Sequence, residues 1–116
     1  IRIYEDRPLE GIAYEKAIEG DFAMKNKDVV FVAEPYFFSA EKRGAKNLSY
    51  RWAVNGADRR GGNAGIFSVL SDKNSEDFSI SVAVRNLSRV LQEAEKSFSA
   101  LWENKAVTNA SLFGNI

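Results

Sequence analysis

The sequence predicts an all-β domain, an antiparallel β-sandwich of about seven strands. Three observations predict it. Leu48-Ser49-Tyr50-Arg51-Trp52-Ala53-Val54 sets Leu48, Tyr50, Trp52 and Val54 on one face and Ser49, Arg51 and Ala53 on the other, the period of a strand with one face in a core. Asn55-Gly56 follows at once, the preferred pair for a two-residue hairpin turn, whose central positions both need positive φ. Phe78-Ser79-Ile80-Ser81-Val82-Ala83-Val84 alternates large apolar against small residues along its whole length.

The remaining elements follow in chain order. Ile1-Arg2-Ile3-Tyr4 alternates and reads as a first strand, closed by Asp6-Arg7-Pro8. Leu9, Ile12, Ala13 and Ala17 share a helical face and Gly20 would end it, which predicts a short helix near residues 9–19. Asp28 to Glu34 is β-branched and aromatic, a buried strand ended by Pro35. Ser39 to Asn47 is polar and reads as a loop; Ala57 to Arg60 reads as a short returning edge strand, with a Gly-rich loop after it. Ile66 to Leu70 is a further strand, and Ser71 to Ser75 a polar turn.

The segment from Leu87 to Trp102 fits two periods. Leu87, Val90, Leu91, Ala94, Phe98 and Leu101 suit a helix. Ala94, Phe98, Ala100 and Trp102 against Glu93, Glu95, Ser97 and Ser99 suit a strand, with Lys96 as the one misfit. A sandwich needs a last strand here, and that context favours the strand. Residues 1–103 then form one domain and 104–116 a C-terminal tail or linker.

The 116 residues suit a single core, and 45% hydrophobic with 28% charged residues is an ordinary globular composition. Lys+Arg and Asp+Glu both number 16, a balance that argues against a nucleic-acid partner. The chain has no Cys and no His. It therefore holds no disulfide, no thiolate nucleophile and no Ser-His-Asp or Cys-His arrangement, and it lacks the usual zinc ligands. No apolar run is long enough to cross a bilayer as a helix. The chain starts at Ile1 directly on a strand pattern and reads as a piece of a longer protein.

Tyr50-Arg51-Trp52-Ala53-Val54-Asn55-Gly56 resembles the central strand of PKD-like and bacterial immunoglobulin-like domains, which carry Tyr-x-Trp followed by a turn with Gly. The typical PKD turn is Gly-Asp-Gly, which Asn55-Gly56 matches in part. Phe78 to Val84 looks like the penultimate strand of such domains, and Glu34-Pro35-Tyr36-Phe37-Phe38 with Leu48-Ser49-Tyr50 is similar to modules of bacterial surface proteins. The resemblance implies an extracytoplasmic, non-enzymatic module for protein interaction, adhesion or domain spacing, without a cofactor. It supplies no catalytic residues.

Tyr50 and Trp52 lie on the apolar face and are expected in the core. Tyr36, Phe37 and Phe38 form the candidate binding site. Three consecutive aromatics in an extended chain cannot all face one core, so at least one points outward or lies under a loop. An outward one would stack on a sugar ring or a partner protein, which makes a carbohydrate-binding module the alternative function. Packing under the loop Ser39 to Asn47 or under the early segment Leu9 to Ile18 is the simpler reading. Asp72, Glu76 and Asp77 offer oxygens to Ca²⁺ but lack the EF-hand spacing, and a solvated turn explains them better. Arg59-Arg60-Gly61-Gly62 lacks the strand–loop–helix context of a phosphate cradle. Glu15, Glu19, Glu93 and Glu95 are read as surface charges. Asn47-Leu48-Ser49, Asn86-Leu87-Ser88 and Asn109-Ala110-Ser111 match the glycosylation triplet, which matters only in a eukaryotic secretory pathway.

Overall fold

Period-2 burial organises the chain into two sheets of strands with one core between them. The computed structural model describes residues 1–36, 43, 46–59, 63–70, 77–88 and 92–102. Its strands are β1 (Arg2–Arg7), β2 (Gly11–Ile12), β3 (Asp21–Met24), β4 (Asp28–Glu34), β5 (Leu48–Val54), β6 (Ala57–Arg59), β7 (Ile66–Leu70), β8 (Phe78–Asn86) and β9 (Glu93–Trp102). One sheet has the order β2-β1-β4-β7, the other β3-β9-β8-β5-β6. The all-β sandwich is thus the observed fold. Every pair is antiparallel except β3–β9, which is parallel.

The two strands that announced the fold sit where their alternation requires. In β8, Phe78, Ile80, Val82 and Val84 are buried, and the residues between them are not. In β5, Trp52 is fully buried and stacks on Phe67 of β7, with ring centroids 4.9 Å apart and planes 13° from parallel. Trp52 therefore ties one sheet to the other, and a second aromatic group does the same. Phe31 of β4 meets Phe98 of β9 at 4.9 Å and Phe22 of β3 at 5.2 Å, both edge to face. Asn55 and Gly56 take φ of 51° and 83°, the two positive values that the hairpin from β5 to β6 needs.

Two expectations need correction, and one strand is new. Residues 9–19 form no helix. Leu9 stands fully exposed at φ 66° in a turn, and the chain then runs along the open edge of β1. There the Ala13 N–H donates to the Glu5 carbonyl and the Ile18 N–H to the Ile3 carbonyl, each at 2.8 Å. An uncapped helix of about ten residues is marginal in water, whereas an unpaired strand edge offers ready partners. β1 continues through Asp6 and Arg7, where a turn was expected. Strand β3 was not anticipated, because only Phe22 and Met24 carry its alternation.

Within the segment after Asn86, Glu93–Trp102 is a strand. Phe98, Ala100 and Trp102 are buried, while Leu87, essential to a helical face, is exposed. Lys96 occupies an inward position and escapes the core by reaching Glu19 Oε2 at 2.9 Å.

Candidate interaction site

The strand registers place Arg2 beside Glu34, Ile66 beside Val32, Leu48 beside Asn86 and Glu93 beside Arg85. The start of β1, the end of β4 and the start of β7 therefore lie at one pole of their sheet. The start of β5, the end of β8 and the start of β9 lie together at one end of the other sheet. Arg43 joins the two groups. Its guanidinium pairs with Glu34 at the end of β4, its Nε donates to the Ala64 carbonyl at 2.8 Å, and its own carbonyl accepts the Tyr50 hydroxyl at 2.7 Å. Both charged side chains are largely screened from solvent, so the pair is charge-assisted in a reduced dielectric.

This arrangement explains one glycine and one shifted tyrosine. Gly65 has φ +78°, and a Cβ there would stand 2.7 Å from Arg43 Cγ and 2.8 Å from the Ala33 carbonyl oxygen. Only a residue without a side chain lets Arg43 lie across the backbone here. The Tyr50 phenol is pushed up to about 12 by burial above all, with Arg43 opposing and Glu34 adding a smaller upward push. It stays protonated and keeps donating across the whole physiological range.

A second polar tie joins the ends of β5 and β8. Asn86 is 1% exposed, the one buried polar residue among the described residues. Its Oδ1 accepts from Asn47 Nδ2 at 3.1 Å and from the Ser88 N–H at 3.0 Å, and its Nδ2 donates to Gln92 Oε1 at 2.8 Å. Two backbone bonds run alongside, Asn86 N–H to Gln92 and Leu87 N–H to Asn47. A buried amide satisfied on both ends holds the turn after β8 against the segment that enters β5.

On the outer face of the four-stranded sheet, beside Arg43, lies a tyrosine cluster. Pro35 makes a tight turn in which the Tyr36 N–H donates to the Glu34 carbonyl at 3.0 Å, folding Tyr36 back over the sheet. The hydroxyls of Tyr36 and Tyr4 lie 3.2 Å apart. Tyr14 packs edge to face on Tyr4 at 5.1 Å and donates to Glu34 Oε1 at 3.2 Å. Tyr4 is buried beneath, whereas Tyr14 and Tyr36 are 53% and 42% exposed. The Tyr36 phenol is raised to about 12, chiefly by its bond to Tyr4 and then by burial. These groups can stack and hydrogen-bond.

Of the three predicted site residues, Tyr36 is exposed in this cluster, and Phe37 and Phe38 lie outside the described residues. Tyr4 and Tyr14 were missed as partners of Tyr36. The signal for Tyr4 was the alternation of β1, which turns Ile3 inward and Tyr4 outward; Tyr14 stood in the segment read as helix. Arg43 had no signal, since it sits in a polar stretch read as loop. Tyr50 is half-buried on the core face of β5, as expected, with its hydroxyl reaching out to Arg43.

The other candidates are dispersed. Glu15 pairs with Arg7 at 3.1 Å and Glu19 with Lys96, while Glu93 and Glu95 are exposed on β9. Asp77 Oδ1 accepts from the Trp102 N–H at 3.4 Å; Asp72, Glu76 and Arg60 to Gly62 lie outside the described residues. An open cleft of about 700 Å³ runs between the sheet edges, lined by Glu5, Arg7, Ile18, Asp21 and Phe22 among others. Arg7 on its wall contacts Glu5, Glu10 and Glu15. Comparison with protein-family models, with curated proteins and with solved structures finds no match.

Proposed function

We propose that the chain is a non-enzymatic module of the immunoglobulin- or PKD-like kind, placed outside the cytoplasm. There it binds another protein in interaction or adhesion, or spaces neighbouring domains of a longer chain, at the cell surface. The observation that carries this reading is the pairing order. In immunoglobulin-type sandwiches strands B and E share one sheet and G, F and C the other, joined in the variable type by C′, with a Trp of strand C in the core. Here β4 pairs with β7, and β9, β8, β5 and β6 follow one another in the second sheet. Trp52 is carried by β5, the strand in the C position.

Two further features fit the reading. Sandwiches of this type bind through the loops at one end, and loops fixed in advance lose less freedom on binding. The ties made by Arg43 and Asn86 lie at such an end. The tight turn from β3 to β4 reverses the chain, so β1 and β9 run in the same direction. β1 therefore starts at one pole and β9 ends at the other, the geometry a spacer between domains requires.

Antibody raised against the folded domain should label intact cells of the source; labelling only after permeabilisation would remove the extracytoplasmic placement. A photocrosslinking residue at position 36 should capture a protein partner that the same residue at the exposed position 58 does not. Equal capture from both positions would count against the pole as the binding surface. A second reading, carbohydrate binding, is favoured by the exposed rings of Tyr14 and Tyr36 beside the Glu34 carboxylate. It predicts saccharide binding on a glycan array that Tyr36→Ala abolishes without changing the melting temperature.

A further inference from the structure

Sheet edges carry unpaired backbone donors and acceptors, and natural proteins guard them with charge, brevity or cover. Most edges of this sandwich are guarded. β2 has two residues. β6 has three, all exposed, and carries Asp58 and Arg59, with Asp58 facing Arg51 at 3.8 Å. β3 has four residues and begins with Asp21. The part of β9 that β3 does not pair holds Glu93, Glu95 and an inward-pointing Lys96. β7 is the exception. Ile66-Phe67-Ser68-Val69-Leu70 has neither charge, proline nor glycine, pairs with β4 on one side, and has no strand on its other side among the described residues.

The side chains of β7 add to the contrast. Ile66, Ser68 and Leu70 point to the outer face, where Leu70 is 78% and Ile66 37% exposed. Tyr4, Val32 and Ile66 are register partners, so an apolar row crosses the outer face and stops at this edge.

We infer that β7 is a self-association edge, covered in solution by β7 of a second copy running antiparallel across a two-fold axis at Ser68. The sequence of the strand is complementary to itself in that register. Ile66 stands opposite the partner's Leu70 on the outer face, and Phe67 opposite the partner's Val69 on the inner face. Each apolar residue meets an apolar residue, and no like charges oppose. The two four-stranded sheets become one of eight strands, and the outer apolar row continues from Tyr4, Val32 and Ile66 onto the partner's Leu70.

Sedimentation equilibrium and charge-pair variants test this. The wild-type chain should show twice the chain mass as its concentration rises. Ser68 is exposed, so Ser68→Lys and Ser68→Glu leave the core untouched. Each alone places like charges face to face on the axis and should sediment as a monomer with unchanged circular dichroism. Mixed in equal amounts, the two should return to twice the mass, because opposite charges then meet. A wild-type monomer at every concentration overturns the inference. So do variants that dimerise as the wild type does, or a mixture that stays monomeric.

Discussion

Gly65→Ala probes the Arg43 tie directly, and its cost can be assembled from the structure. The backbone at Gly65 has φ +78°, and a left-handed conformation costs a residue with a Cβ about 1–2 kcal/mol. The new methyl would stand 2.7 Å from Arg43 Cγ and 2.8 Å from the Ala33 oxygen. Contact at no strain needs about 3.5–4.0 Å between carbons. Ala33 is held by its register with Ile3 on the neighbouring strand, so Arg43 gives way. It then loses its bond to the Ala64 carbonyl and its charged bond to Glu34. Together these are worth about 2–4 kcal/mol net. The lower entropy of an unfolded chain with Ala returns about 0.4–1 kcal/mol. The expected loss is about 4 kcal/mol, which at a typical slope of about 2 kcal/mol/M lowers the urea midpoint by about 2 M. In an Arg43→Ala background the same substitution should cost less by about 2–4 kcal/mol, because the lost Arg43 bonds drop out while the left-handed backbone, the contact with the Ala33 carbonyl and the entropy return remain. Equal costs in the two backgrounds, or a loss below about 0.5 kcal/mol in the wild type, would refute the account of Arg43 as a tie across the pole.

Four other outcomes are expected. Asn86→Ala removes three side-chain hydrogen bonds and should lower stability by about 3 kcal/mol. It should also speed amide exchange at Leu87 and Ser88, and unchanged exchange there would show that the amide does not hold the turn. Trp52→Ala should cost about 3–5 kcal/mol by chemical denaturation. Trp52→Phe should cost less than about 2, since it also removes an indole N–H with no hydrogen-bond partner among the described residues. Leu9→Gly should raise the melting temperature slightly, because Leu9 holds φ 66° while fully exposed, and relief worth about 1–2 kcal/mol outweighs the roughly 0.4–1 kcal/mol that Gly costs through the unfolded chain. The Tyr50 phenol ionises at about 12 in the fold against 10.0 ordinarily, so its contribution is complete below pH 10 and is lost as pH rises towards 12. Tyr50→Phe should flatten the stability profile across that window.

Legibility followed how local the signal was. β5 and β8 could be read because each carries its whole pattern within one strand: four alternating apolar positions and, for β5, a turn pair that fixes its end. β9 was legible only in context, since Leu87 to Leu101 also fits a helical period and Lys96 breaks the strand pattern. The structure resolves the conflict through a distant residue, Glu19, that gives the Lys96 ammonium a partner. The segment 9–19 failed for the converse reason. Its apolar spacing is helical, but the edge of β1 competes for its backbone, and an edge that exists only after folding leaves no trace in a local window.

The same distinction explains why the candidate site was half visible. Tyr36 was singled out because three adjacent aromatics violate the alternation of a strand, a conflict visible in five residues of sequence. Its setting was not, because Tyr4, Tyr14, Glu34 and Arg43 come from four separate stretches and meet only when β1 and β4 pair. Arg43 is the clearest case. Read alone it is one more cation in a polar loop, yet its contacts reach the end of one sheet, a half-buried tyrosine of the other and a carbonyl beside a left-handed glycine. Side chains that only fill a core reveal themselves by period. Those that join two sheets at a pole are recognised by the constraints they impose on others, here a glycine that tolerates no Cβ and a tyrosine whose hydroxyl is drawn to the Arg43 carbonyl. Such constraints concentrate at the end of the sandwich where the ties of Arg43 and Asn86 lie, and the rigidity they give would serve the binding surface proposed there.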